Sequence, residues 1–555
     1  MHSCSGLDHT APNPLHAMSS PTATWSSINL AEAVPGVMTP LSASVWIPAS
    51  ELGLRQPFVA MGALPASKGG IPHRPDERIT NAFFGRMAVR VDFLCEMGDL
   101  IPGQSGAALS RDFFGFVPEN FSSRPSARRL PFIAARYPRT LLTIARRIRR
   151  LRAQTDTWWR TQTTRLPDLD LDLRGTQTVA EDARRRFFDA LAAQAVISAT
   201  LIQPVQEQLS ALCAAAGIDA AVLLRGSAHE ECLVLDDLWA VSRDTLTIEA
   251  FLSRHGYHGP GEGEVETRVW REDPSAVASI VHRYREKPDS DSPRRDAAEH
   301  RVRRDRAEAR LMSRLRPLSR ARARIVLGLA RRYIPLRGTG KVSYLQSLDV
   351  LRAATRHIGA LLVEAARLSS PDDAFYLTID ELIGAPATDP SVDLHQIVLD
   401  RRALRLQYQQ LAAPSAWTGQ PEPIVPTKHH DEPITRLSGV GACGGVVEGR
   451  AVVITEPADA DIDDGDILVA HTTDPSWVSL MFLSGALVVD IGGLMSHAAV
   501  VARELGIPCV MNTGTGTTDL RTGDVVRVDG AAGTVEVIAR DIQPTSTMPE
   551  GTDRR

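Results

Sequence analysis

A chain of 555 residues is too long for one hydrophobic core, so two or three domains are expected. Its 43% hydrophobic and 23% charged residues are ordinary for a folded chain, and a formal charge of −4 argues against a protein-wide surface for nucleic acid or anionic membrane. Lysine occurs only at Lys68, Lys287, Lys341 and Lys428, so arginine supplies nearly all the positive charge, which a coding bias explains without any function.

Six cysteines (Cys4, Cys95, Cys213, Cys232, Cys443 and Cys509) are scattered without a CxxC pair. That pattern points to reduced thiols in a cytoplasmic protein, with no disulfide framework and no metal site. No run approaches the ~18 consecutive apolar residues of a spanning helix, and no membrane partner is expected. Residues 1–26 lack the apolar stretch of a signal peptide and are expected to form a disordered extension.

Residues 27–412 read as a mainly helical substrate-binding domain. LLTIARRIRRL places Leu141, Ile144, Ala145, Ile148 and Leu151 on one face with arginines around the rest. Long helical patterns recur over residues 183–215, 347–368 and 392–411, with short extended pieces expected at 221–224 and 375–378. The polar stretch 286–304 is expected to be a loop entering a helix. Five prolines then mark residues 413–435 as a semi-rigid linker, for which a flexible chain would span roughly 25 Å. From 436 to 540 the pattern becomes short β-branched runs between turns: 446–454, 467–470, 487–490, 525–529 and 534–538. One helix interrupts them, so a small α/β module is expected, followed by a disordered tail at 541–555. The fold class is therefore multidomain, mainly α-helical and then α/β.

The segment VVDIGGLMSHAAVVARELGIPCV (488–510) reads as strand, glycine turn, helix, strand. Gly492 and Gly493 permit a tight turn, Ser496 is a good N-cap, and Gly506 with Pro508 stops the helix. His497 falls in the first helical turn, where free N–H groups and the helix dipole favour an anion. Its imidazole is largely neutral near pH 7, so one ring nitrogen can attack phosphorus. Geometry alone also fits a capping or structural histidine.

The whole string closely resembles the mobile domain of phosphoenolpyruvate-utilising enzymes, the group that includes phosphoenolpyruvate synthase, pyruvate phosphate dikinase and rifampicin phosphotransferase. GVVEGRAVVI and DGDILVAHTTDPSW upstream, and LRTGDVVRVDGAAGTVEVI downstream, fit the flanking strands. The resemblance implies a swivelling domain whose His497 is transiently phosphorylated, with Ser496 and Gly493 beside the phosphoryl group. Met495 departs from the threonine common at that position. Arg503 is read either as a phosphoryl contact or as a surface ion-pair partner.

More loosely, LLRGSAHEE (223–231), residues 251–274, IPLRGTGK (334–341) and DDAFYLTIDEL (372–382) resemble the substrate domain of rifampicin phosphotransferase and its relatives. There, HGYHGPGEGE packs His255, His258, Glu262 and Glu264 into a glycine-rich loop. Such a cluster can hold a metal, act as a general base or orient an acceptor hydroxyl, and its spacing is not that of a zinc site. The base reading assigns catalysis to His258, His255 and Glu262, and substrate contact to Glu264. Arg337 and Lys341 are candidate phosphate contacts or solvated charges.

The ATP-grasp domain of these enzymes has no counterpart in the pattern, and Lys68 in ALPASKGG lacks the strand context of a phosphate-binding loop. The expectation is a phosphotransferase component that takes its phosphoryl group from a separate ATP-grasp partner, as in phenylphosphate synthase. ATP and Mg2+ would lie on that partner, and a small hydroxyl-bearing acceptor on this chain. The alternative is a non-catalytic phosphocarrier or degenerate binding relative. Arginine-rich helices without interleaved aromatics give a nucleic-acid partner little support.

Overall fold

Apolar residues at helical spacing dominate the first three quarters of the chain, and β-branched runs dominate the rest. The computed structural model follows that division, helical first and α/β after it. It describes residues 13–27, 34, 36–101, 105–114, 116–166, 171–218, 220–224, 229–289, 292–424, 434–455, 462–463, 465–473, 477–492 and 496–540. The chain divides into two compact units, Met1–Pro426 with Asp474–Val478, and Thr427–Thr473 with Ser479–Arg555.

The first unit opens with strand β1 (Thr24–Ser26), helix α1 (Pro40–Met61), the hairpin β2 (Thr80–Phe83) and β3 (Arg86–Arg90), then α2 (Val91–Gly98) and α3 (Gly106–Phe114). Long helices follow: α4 (Leu130–Arg165), α5 (Leu173–Ile197), α6 (Gln203–Ala216), α7 (Ala220–Leu224), α8 (His229–Ser242) and α9 (Ile248–His255). After a glycine-rich loop come α10 (Ser275–Glu286), α11 (Pro293–Arg314), α12 (Pro317–Tyr333) and α13 (Leu336–Glu364). The short α14 (Ile379–Ile383) and α15 (Ala385–Thr388), then α16 (Leu394–Gln409) and strand β4 (Ala416–Thr418), complete it.

α13 is the axis, packed between α5 and α4 and against the 3-10 turn Pro371–Tyr376. Its Leu345, Leu348, Leu351, Ala354, Ile358 and Leu362 recur every three or four residues and are all buried. α5 buries Ala180, Ala183 and Ala190, small residues that let two backbones approach, together with the bulky Phe187. α5 and α6 run on through a π turn at Ser198–Ile202, where Pro204 removes an N–H from the ladder. By length and composition Leu173–Ala216 suffices to cross a membrane, but 50% of its most apolar window is buried, and here it serves as a core helix.

Several expectations need correction. Residues 13–26 are not a disordered extension: Leu15 and Trp25 are buried, and β1 pairs antiparallel with both β3 and β4. The first part of the proline-rich linker is likewise folded, because β4 joins that sheet, whose order is β2-β3-β1-β4, and Ala412 bridges Ile424. Residues 221–224 are helical, since packing against α6 and α11 outweighs their β propensity. Residues 375–378 end a 3-10 turn and cap a helix. Asp373 accepts the N–H groups of Ser369 and Ser370, and Thr378 and Glu381 cap α14 reciprocally.

The second unit is an eight-stranded sheet of order β5-β12-β11-β7-β8-β9-β10-β6. The strands are β5 (Arg436–Ser438), β6 (Val440–Cys443), β7 (Val446–Ile454), β8 (Ile467–Ala470), β9 (Ala486–Val489), β10 (Cys509–Met511), β11 (Val525–Asp529) and β12 (Thr534–Ala539). β7, β8, β9 and β10 run parallel and the remaining pairs antiparallel. Helices α17 (Val478–Leu483), α18 (His497–Leu505) and α19 (Gly516–Asp519) complete the unit. Ala451, Ile467, Val469, Val488, Val526 and Val528 fill the core on one face of the sheet. Parallel strands need crossovers, and α18 is the crossover from β9 to β10.

Gly359 tests the packing of α13. A Cβ there would lie 2.1 Å from the carbonyl oxygen of Pro371. In an open helix, Gly→Ala stabilises by about 0.5–1 kcal/mol. Here we expect Gly359→Ala to destabilise by about 1–3 kcal/mol, because backbone must shift to make room. A raised midpoint of thermal unfolding would contradict the packing described.

Candidate active site

In the first unit the candidate residues lie in the loop between α9 and α10. The loop closes on itself: Trp270 donates its N–H to the carbonyl of His258 (2.7 Å), and Arg271 to that of Gly256 (3.0 Å). Glycine is required at 259, where a Cβ would come within 2.8 Å of the Arg268 carbonyl oxygen. Within this frame His258 Nδ1 lies 2.8 Å from Glu262 Oε2, and both side chains are only 7% exposed. Lys341 Nζ reaches the other oxygen, Oε1, at 3.1 Å. Lys341 comes from α13, one turn beyond Arg337, so two cations share a helix face next to the loop. Histidine, carboxylate and ammonium thus form one chain, buried at His258 and Glu262 and half-buried at Lys341, in which Glu262 orients the imidazole and balances the lysine.

The loop is braced from beneath by two α13 residues. Arg352, 1% exposed, donates from Nε to the Val265 carbonyl (3.1 Å) and from Nη2 to the carbonyls of Glu264 (3.1 Å) and Glu262 (3.5 Å). Burial pushes the Arg352 pKa down, against the opposing pull of Asp349. Asp349, fully buried, accepts Trp159 Nε1 at 2.7 Å and Arg271 Nη2 at 2.8 Å, and lies 3.8 Å from Arg352.

Two loop residues are placed otherwise than expected. Glu264 is saturated by the start of α1: it accepts the N–H (3.1 Å) and hydroxyl (2.7 Å) of Thr39, the Ser42 hydroxyl (2.5 Å) and the Glu266 N–H (3.2 Å). Its carboxylate ties the loop to that helix. His255 turns to α8, where its Nε2 lies 2.9 Å from Asp237 Oδ2, itself paired with Arg254. Burial pushes its pKa down to about 4 despite Asp237, and its Nδ1 has no hydrogen-bond partner among the described residues.

In the second unit α18 begins at His497, as the motif predicts. Ser496 caps it: its hydroxyl accepts the Ala499 N–H at 3.2 Å, and Gly506 ends the helix at φ 75°. The His497 side chain and the whole of Gly493 lie outside the described residues. Arg503 sits in the last turn, about 9 Å along the axis from His497 at 1.5 Å per residue. A cation there suits the negative end of the helix dipole, and the structure does not bring it to the first turn.

Sequence reading missed a cluster at the end of β9. Asp490, 1% exposed, accepts the Thr513 hydroxyl (2.8 Å), the Thr517 hydroxyl and the Thr517 N–H (3.1 Å), and His471 Nδ1 stands 3.5 Å away. Burial opposes ionisation of Asp490, but hydrogen bonds from His471, Thr517 and Thr513 outweigh it and hold the carboxyl below the usual range. The legible signal was an aspartate closing a β-branched run, since sites gather at the carboxyl ends of parallel strands.

Among the described residues no group of three or more His, Cys, Asp or Glu is placed to hold a metal ion. Lys68 lies on an exposed 3-10 turn, Ala66–Lys68, ending at Gly69, with neither the strand nor the helix of a phosphate cradle around it.

Residues 462–533 match the mobile domain of PEP-utilising enzymes, and residues 181–338 match the fourth domain of rifampicin phosphotransferase. A helical phosphotransferase-type domain and a mobile domain therefore occur in one chain. Both matched segments are thus similar to domains of phosphoenolpyruvate-utilising enzymes. A Mycobacterium tuberculosis protein of uncharacterised function is 28% identical over 579 residues, covering 95% of this chain and 63% of that protein. Rifampicin phosphotransferase of Streptomyces sviceus is 31% identical over 55% of this chain and 36% of its own length. That of Bacillus subtilis is 29% identical over 55% and 36%. The chain thus spans less than two thirds of the curated relatives it matches.

Two measurements check the site. His255 has a folded pKa near 4 against 6.5 for the free side chain. Between those values the unfolded state binds more protons, so stability rises with pH through that window and falls as pH drops from 6.5 towards 4. Between pH 7.5 and 5 this group should contribute a loss of roughly 2 kcal/mol, absent from His255→Gln, as read by urea unfolding at each pH. Equal slopes would remove the buried neutral histidine. Separately, Ser496→Ala should weaken the start of α18 by about 1 kcal/mol, seen as roughly fivefold faster amide hydrogen exchange over residues 496–505.

Proposed function

We propose that this chain is the phosphoryl-carrying and acceptor-binding component of a phosphotransferase. The observation that carries this reading is the Ser496-capped helix opening at His497 inside a matched mobile domain. A neutral imidazole nitrogen of His497 attacks the donor phosphorus, and the N–P bond forms as the leaving group departs on a separate ATP-grasp partner. ATP and Mg2+ belong to that partner, since nothing around Lys68 resembles a nucleotide site.

The phosphoryl group then passes to a small hydroxyl-bearing organic acceptor held by the first unit. His258 takes the hydroxyl proton as oxygen bonds to phosphorus, and Glu262 stabilises the imidazolium. Lys341, and Arg337 one turn before it, draw the phosphoryl oxygens towards the loop. His255, neutral and paired with Asp237, supports the same wall. The presence of this buried base in the same chain as the carrier favours an enzyme over a bare phosphocarrier, which has no use for it.

The test is labelling with γ- and β-labelled ATP, with and without a candidate ATP-grasp protein, in wild type and His497→Ala. Acid-labile, base-stable label that depends on the partner and vanishes in His497→Ala is expected. Glu262→Gln should retain that label and lose more than tenfold in transfer to acceptor. Label that persists in His497→Ala would overturn the assignment, and label never discharged to any hydroxyl compound would favour the non-catalytic carrier.

A further inference from the structure

α4 carries seven arginines between residues 130 and 155 and no acidic residue, the first acid being Asp156. Asp156 is already taken by Arg152 and Arg160. Ile144, Ala145 and Ile148 are locked in the core, which turns Arg146, Arg147 and Arg150 outwards. On the facing helix α5 the arginines are neutralised locally: Arg186 lies 2.9 Å from Asp182, and Arg184 pairs with Glu181 and Asp380. By contrast, Arg146, Arg147 and Arg150 have no acidic partner among the described residues. Arg146 and Arg150 stand one turn apart, a spacing at which like charges repel.

These three guanidiniums line a cavity of about 380 Å3, together with Leu151, Gln154 and Asp189. That volume is at the lower end for small-molecule sites. Cations that repel one another around an open cleft are stabilised by an anion placed between them. Three rigid forks match the oxygens of phosphate, and bidentate pairing adds direction to the attraction. Three guanidiniums less the Asp189 carboxylate leave a net charge of +2 in this small volume, which the charge density of linked phosphates matches. Gln154 and Asp189 add hydrogen-bonding groups that fit hydroxyls on the same ligand.

We propose that the cleft between α4 and α5 binds a small, multiply charged phosphate of the di- or triphosphate class, bearing hydroxyl groups. The site uses none of the loop residues around His258 and none of the second unit, so it stands or falls apart from the phosphohistidine reading.

The experiment is calorimetric titration of the full chain with inorganic tripolyphosphate at 50 and 200 mM salt. We expect one site per chain, weaker at the higher salt, at least tenfold weaker in Arg147→Gln/Arg150→Gln, and several-fold tighter in Asp189→Asn. Both arginines are exposed, and unchanged thermal unfolding will show that the double variant is folded. Absence of binding, binding unaffected by the double variant, or several sites per chain would overturn the proposal. A single-stranded RNA that binds where tripolyphosphate does not, and weakens equally in Arg136→Gln/Arg139→Gln, would also overturn it in favour of a nucleic-acid face along α4.

Discussion

Asp349 and Arg352 stand one turn apart on α13, both withdrawn from water, and the geometry of the first unit's site rests on them. Arg352 satisfies carbonyls that would otherwise be buried without donors at the turn carrying Glu262 and Glu264. Asp349 supplies the countercharge and gathers α4 through Trp159 and the far side of the loop through Arg271. Taking one member from such a buried pair leaves an uncompensated charge and costs about 3–5 kcal/mol. A glycine-rich loop is entropically expensive to order. An ionic pin from a rigid helix helps it hold a 2.8 Å histidine–glutamate contact.

The second unit meets the same demand with a different device. Its helix α18 follows a parallel strand, so the N-terminus of α18 lies at the carboxyl edge of the sheet. At that edge Asp490 ties the segment after β10 to the end of β9 through Thr513 and Thr517, and His471 approaches from the end of β8. One buried carboxylate thus keeps three strand ends in register beside the turn that leads to His497. Asp349 and Asp490 are both acceptors placed where several segments must converge, and in each case donors from distant chain segments converge on the carboxylate.

What was legible in the sequence follows from the range of each interaction. Ser496 as a cap, Gly506 as a stop and the strand 446–454 are local signals, and the structure has them where periodicity and turn chemistry put them. His258 and Glu262, four residues apart in one loop, are also local. The link from Glu262 to Lys341 joins two segments far apart in the chain, and that from Glu264 to Thr39 spans 225 positions. No spacing rule conveys either, so the sequence alone does not show that Glu264 knots the loop to α1. Three-residue strands are equally silent: TWS at β1 has too few alternations to show a period, and its burial is decided by β3 and β4. Arg503 reads from the motif as either a phosphoryl contact or an ion-pair partner, and helix rise sets it in the last turn of α18.

The pairing of β1 with β4 carries a consequence for synthesis on the ribosome. Thr24 and Thr418 are partners in register, separated by 394 positions. At ~5–20 residues per second, the second strand emerges roughly 20–80 s after the first. β1 can dock on β3 early, since Arg90 is available much sooner, but its other edge then stays open until the unit is almost complete. The chain therefore has a long interval in which a nascent sheet edge needs protection, and its closure by β4 marks the moment at which the helical unit becomes topologically complete.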